Sequence, residues 1–128
     1  MAAFSNYLEN ALINGTLRAT NYTAPTTVYV GLFTTDPTDA GSGTEVSGNA
    51  YARQSATFAS PSNGAASTDA DVQFPQATGN WGTVTHFGVF DALTTGNLMY
   101  HGALTASKTI ETGDVFKIAT GNLTVTLA

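Results

Sequence analysis

Apolar residues recur along this chain at two different spacings. Near the start, Phe4, Leu8, Ala11 and Leu12 follow a helical period. That predicts a helix from about Ser5 to Ile13, capped by Ser5 and ended by Asn14-Gly15. A helix this short needs tertiary packing to persist. Thr20 to Thr26, with Pro25, reads as a connector. Beyond it the alternation becomes strand-like, with segments at Thr27–Thr34, Tyr51–Phe58, Asp71–Phe74, Trp81–Asp91, Asn97–Leu104, Lys108–Glu111, Val115–Ala119 and Asn122–Leu127. Gly, Asn, Asp and Pro punctuate them. The expected fold is mainly β: an antiparallel β-sandwich or jelly roll of about eight strands behind a short N-terminal docking helix, with residues 1–128 as one domain.

Two hairpins can be written out. With a turn at Thr120-Gly121, Ile118 pairs with Leu123 and Phe116 with Val125, giving clean inside/outside alternation. With a loop at Ala92–Gly96, Val84, Phe90, Leu98, Tyr100 and Leu104 share one face, and Phe87, Val89, Met99 and Ala103 the other. Both faces are apolar, so both need cover, from the N-terminal helix, a second sheet or another subunit. Phe4, Leu8 and Leu12 of the helix, with Phe87, Val89 and Met99 of the hairpin, are therefore interface candidates. In this register His86 faces Gly102 and His101 faces Phe87, which separates the histidines.

The stretch from Val28 to Arg53 is a strand feeding a long polar loop that contains Asp36, Pro37, Asp39, Gly41, Gly43 and Glu45. A loop this long on a well-formed strand points outward, toward contact. Asp36, Asp39 and Glu45 are candidates for that contact. Arg53 is expected to pair with an acidic loop residue such as Asp39 or Glu45.

Composition narrows the function. The chain has no cysteine, which excludes disulfides, thiolate zinc sites and cysteine nucleophiles. Charged residues make up 10%, against about 25% in ordinary soluble domains. Neutral polar surfaces suit packing against neighbours, because few charges must be desolvated. A net charge of −5 with four scattered basic residues argues against nucleic acid. No apolar run reaches the ~20 residues of a membrane span. The N-terminus lacks a secretory pattern, so folding in a cytoplasm is expected.

The chemistry-bearing residues read as structural. Asp36, Asp39 and Glu45, or Asp69 with Asp71, could offer carboxylates to calcium, but turn chemistry explains them. Trp81 and Tyr100 could stack on a sugar, but read as core fillers. No nucleophile relay, phosphate loop or paired-carboxylate spacing stands out. No catalytic, cofactor-binding or metal residues are expected, and the chain is not expected to be an enzyme.

Several segments together resemble a known family: Tyr7-Leu8-Glu9-Asn10; Leu32 to Gly41; Gly43 to Gly48 followed by Tyr51-Ala52-Arg53; Phe74-Pro75; Trp81 to Gly88; Gly96-Asn97-Leu98; and Leu123 to Leu127. In this order they resemble small virion proteins of tailed bacteriophages, often labelled tail fibre proteins. Gly31 and Met99 stand where the resemblance suggests Ala and Leu, and Asn49-Ala50 is less glycine-rich than it suggests. The resemblance implies a structural virion part assembled in the host bacterial cytoplasm, a homo-oligomer with a trimer favoured. It would contact other virion proteins, either the major capsid protein or tail proteins. Size favours a capsid decoration or cement protein that stabilises the head. The alternative is a tail fibre or baseplate component that touches the host surface.

Overall fold

A computed structural model describes residues 2–127. Helix α1 (Asn6–Leu17) follows a two-residue strand, β1 (Ala3–Phe4). Ser5 caps the helix: its Oγ accepts from Leu8 N at 3.2 Å. The same hydroxyl donates to the Leu98 carbonyl, so the cap also ties the helix to the sheet. Leu8 is buried and Phe4 and Leu12 pack half-buried beside it, while Ile13 and Leu17 face outward. The helix does not stop at Asn14-Gly15. It continues to Leu17, and Asn14 O accepts from both Arg18 N and Thr20 N at 3.1 Å. Ala19, at φ 54°, then takes the left-handed turn usually given to glycine.

The main sheet has the order β1-β7-β6-β2-β3, antiparallel throughout, with β2 (Val28–Phe33), β3 (Gln54–Ala56), β6 (Gly82–Phe90) and β7 (Leu98–Ile110). Two short ladders supply the opposite layer: β4 (Ala65–Ser67) with β9 (Thr124–Thr126), and β5 (Val72–Gln73) with β8 (Lys117–Ile118). The expected antiparallel sandwich is thus present with unequal layers. Val30, Leu32, Phe87, Val89 and Met99 of the sheet meet Val72, Phe74, Phe116, Ile118 and Leu123 in one core. Phe74 sits at its centre, edge-on to both Trp81 and Phe116.

Several pairings differ from the sequence reading. The Thr120-Gly121 turn does not close a hairpin. Thr120 N and Oγ1 both donate to Asp71 Oδ1 at 2.8 Å, and Gly121 N donates to the Thr68 carbonyl at 2.9 Å. The turn grips the 68–71 segment and its arms splay around it, so Ile118 pairs with Val72 and Val125 with Ala66. Strand β4 was hidden because Ala-Ala-Ser shows neither alternation nor β-branching. Strand β7 is continuous where a break was expected after Leu104: a bulge there sets four residues, Leu104 to Ser107, against Thr85 alone.

A second bulge falls at Met99. Phe90 pairs with Leu98, but Val89 already pairs with Tyr100. Each bulge breaks the period of two, so side chains expected on opposite faces share one. Val84, Tyr100 and Leu104 join Phe87, Val89 and Met99 on the main core, leaving Phe90 and Leu98 with Phe33 as a small separate cluster. The histidines shift by one: His86 faces Ala103 and His101 faces Gly88.

The interface expectation for Leu8, Phe87, Val89 and Met99 is corrected by burial. All four are at most 5% exposed, and all belong to the chain's own core. The doubly apolar hairpin is covered from within the chain. Val89→Asp should therefore put an unpaired carboxylate in the core at a cost above about 4 kcal/mol and abolish the folded monomer in a circular-dichroism melt. Leu17→Asp, at a position 80% exposed, should change stability by no more than about 0.5 kcal/mol.

Candidate contact surface at the Asp36–Gly48 loop

The long loop leaves β2 after Phe33 and returns beside it. Thr34 N donates to Thr44 O and Val46 N to Leu32 O, each at 2.9 Å, so both ends of the loop are stitched to the strand. Asp36 Oδ1 accepts from Thr38 N at 2.9 Å, the Asx turn read from the sequence. Ser42 N closes back on Pro37 O, and Pro37 is fully buried. Gly43 lies so close to Pro37 that a Cβ would sit 2.7 Å from its Cα, and no larger residue fits there.

Arg53 pairs with Glu45, one of its two expected partners. Its Nε and one terminal nitrogen each donate to a separate Glu45 carboxylate oxygen at 2.9 Å. The other terminal nitrogen donates to Ala92 O at 3.0 Å and Thr95 O at 2.8 Å. The guanidinium carbon stands 3.5 Å from the Phe90 ring centre. Tyr51 completes the group, donating to Glu45 Oε2 at 2.6 Å and accepting from Leu32 N at 2.9 Å. A Cβ on Gly31 would lie 2.8 Å from that carboxylate, so glycine admits the network to the sheet surface. Burial, and next the bond to Glu45, push the Tyr51 phenol above its ordinary 10.0.

Asp39 does not join Arg53. Its Oδ1 bonds His101 Nε2 at 2.8 Å, and its carbonyl accepts from Asn6 N at 2.9 Å. His101 is buried, so the contact pins the loop to β7 and to the first turn of α1. His86 instead bonds Thr85 Oγ1 at 2.8 Å through Nδ1. Neither histidine holds a hydroxyl and a carboxylate together, so no relay is assembled. Asp69 and Asp71 bond Thr57 and Thr120. Among the described residues no group of three or more His, Cys, Asp or Glu could hold a metal. Trp81 is 5% exposed and donates Nε1–H to Asn49 O, and Tyr100 is half-buried against the core. Neither is a sugar platform.

The loop surface carries two adjoining clefts above Phe90 and Leu98. One, about 400 Å³, runs between the first turn of α1 and the loop. The other, about 220 Å³, lies over Arg53. A wider groove of about 760 Å³ separates the bulged half of β7 from the Asp114–Leu123 segment. The sequence reading missed Tyr51, Phe90 and His101 in the loop's anchorage. Only the closeness of Tyr51 to Arg53 in the chain hinted at it.

This arrangement defines a class: a β-rich domain whose long loop is pinned to the sheet by buried polar bonds. Residues 3–126 match the family described as Podophage GP4 fiber I protein gp80, and the chain belongs to that family, a phage fibre-type virion family. No curated protein matches the chain.

Arg53→Lys keeps the charge but loses the fork and the carbonyl contacts, and should cost about 3 kcal/mol in urea unfolding. Because the Tyr51 phenol is raised on folding, its stabilisation is fully present below pH 10.0 and declines as pH climbs beyond it. Tyr51→Phe should cost about 1–2 kcal/mol at neutral pH and flatten part of the alkaline decline. Tyr22 and Tyr100, also raised by burial, add to the alkaline decline in the same direction.

Proposed function

We propose that this chain is a tail-fibre component of a podophage virion, a non-enzymatic part whose Asp36–Gly48 loop surface faces the host. The carrying observation is the match to a fibre family over residues 3–126. The capsid-decoration reading leaned on the helix and the doubly apolar hairpin as docking faces. Leu8, Phe87, Val89 and Met99 are spent on the chain's own core, which removes that support. The rigid loop fits a recognition role, because little conformational entropy is lost when an already ordered loop binds.

The partners are other virion proteins, and copies of the chain associate in a closed ring, a trimer by preference, assembled in the host cytoplasm. Antibody labelling of intact virions, imaged by electron microscopy, tests the placement. Label confined to the tail is expected. Label spread over the head would overturn the fibre reading and restore decoration.

A further inference from the structure

We infer that three copies of this chain join through the outer face of α1, packed in parallel around one axis along a seam of Asn6, Asn10, Ile13 and Leu17. The inference rests on the closed-ring association proposed above and names the surface that makes it. The helix spends Leu8 and Leu12, with Phe4 ahead of it, on the chain's own core. Its opposite face is the unusual one. Ile13 is 52% exposed and Leu17 80%, the two highest values among the large apolar side chains of the described residues. Asn6 and Asn10 lie exposed on the same face. Over Asn6–Leu17 the one charged residue is Glu9, which falls to the side of this stripe. A helix face that meets water ordinarily carries charged residues.

The stripe steps by four, three and four residues, the spacing of successive d, a, d and a positions in a heptad. The occupant it suits is a copy of itself. An amide both donates and accepts, so Asn10, at an a position, can bond Asn10 of another copy when the helices run parallel and in register. An antiparallel pair would set that amide against Ile13 and leave it unpaired among apolar groups. Leu at a with Ile at d favours more than two helices. Area points the same way. The helix is about 18 Å long, and its stripe is small beside the ~1,000 Å² of a stable pairwise interface. Three helices around an axis let each stripe face two neighbours. In that register Glu9 falls beside Asn14 of the neighbouring copy, so no two carboxylates meet. Asn6 N is bonded to Asp39 O, so the bundle gathers the long loops of all three copies at its N-terminal end.

The test is sedimentation of the full chain from about 10 μM to about 1 mM. The mass should rise with concentration toward three chains. Leu17→Asp, which leaves the fold of the single chain intact, should raise the apparent dissociation constant about tenfold or more. The chain has no cysteine, so Ile13→Cys supplies a single thiol, and a short bis-maleimide should link it between copies. Val115→Cys, exposed just ahead of β8, should stay unlinked. A mass of one chain at every concentration overturns both the seam and the closed ring; it is the result expected if α1 instead receives a helix of a different virion protein. A rise to three chains that Leu17→Asp does not weaken, or that leaves Ile13→Cys unlinked, overturns the seam and leaves the ring standing. A plateau at two or four chains overturns the three-helix bundle. Head label on virions, with the seam intact in sedimentation, removes the fibre reading alone.

Discussion

Glu45 and Arg53 meet at the root of the long loop, and the shape of the loop surface depends on that meeting. The pair is bidentate, and the Arg53 side chain is 9% exposed, so it gains from geometry that an exposed pair lacks. Taking two charges out of water is costly, and the cost is offset only when the buried nitrogens and oxygens find partners. The surrounding structure meets that demand, with four of the five guanidinium hydrogens bonded. Tyr51 satisfies one carboxylate oxygen, the Ala92 and Thr95 carbonyls take the two hydrogens of the terminal nitrogen that does not touch Glu45, and the Phe90 ring covers the cation. Three separate stretches of chain are thereby locked together: the return of the loop, the start of the Tyr51–Phe58 segment and the β6–β7 connection.

The same group explains how a sheet can be apolar on both sides without a partner subunit. Phe33, Phe90 and Leu98 lie on the outer face, apart from the main core. The loop and the guanidinium cover them. Phe33 and Phe90 stack at 6.0 Å, which gives the cover a flat base. The lid's two charges cancel, and the surface it turns outward is polar.

Much of this was legible in the chain and some was not. Strands β2 and β6 and the capped helix follow from periodicity, because Val28-Tyr29-Val30 and Phe4-x-x-x-Leu8 admit few other readings. The loop's importance was legible from its length and its Asp, Gly and Thr content. The partner choice of Arg53 was narrowed to two residues, since either Asp39 or Glu45 could reach it. The errors share one physical origin. Bulges at Met99 and opposite Thr85 add residues that no local pattern announces, and each reverses which way the following side chains point. The Thr120-Gly121 turn misled for a related reason: its hydrogen bonds go to Thr68 and Asp71, some fifty positions away, and no turn signature records a distant acceptor.

That turn also governs the order in which the molecule can be built. The second layer closes only when the 116–126 segment reaches back to embrace residues 65–74, and β1 finds its place only when His101 and Tyr100 exist to receive it. Nearly every ladder outside the β6–β7 hairpin joins stretches that are distant in the chain, so folding is slow relative to a helical protein of this size. On a ribosome, Val72 and Phe74 emerge well before Phe116 and Ile118 and wait uncovered. The scarcity of charge that suits the finished surface to its neighbours gives this half-made chain little protection from its own kind.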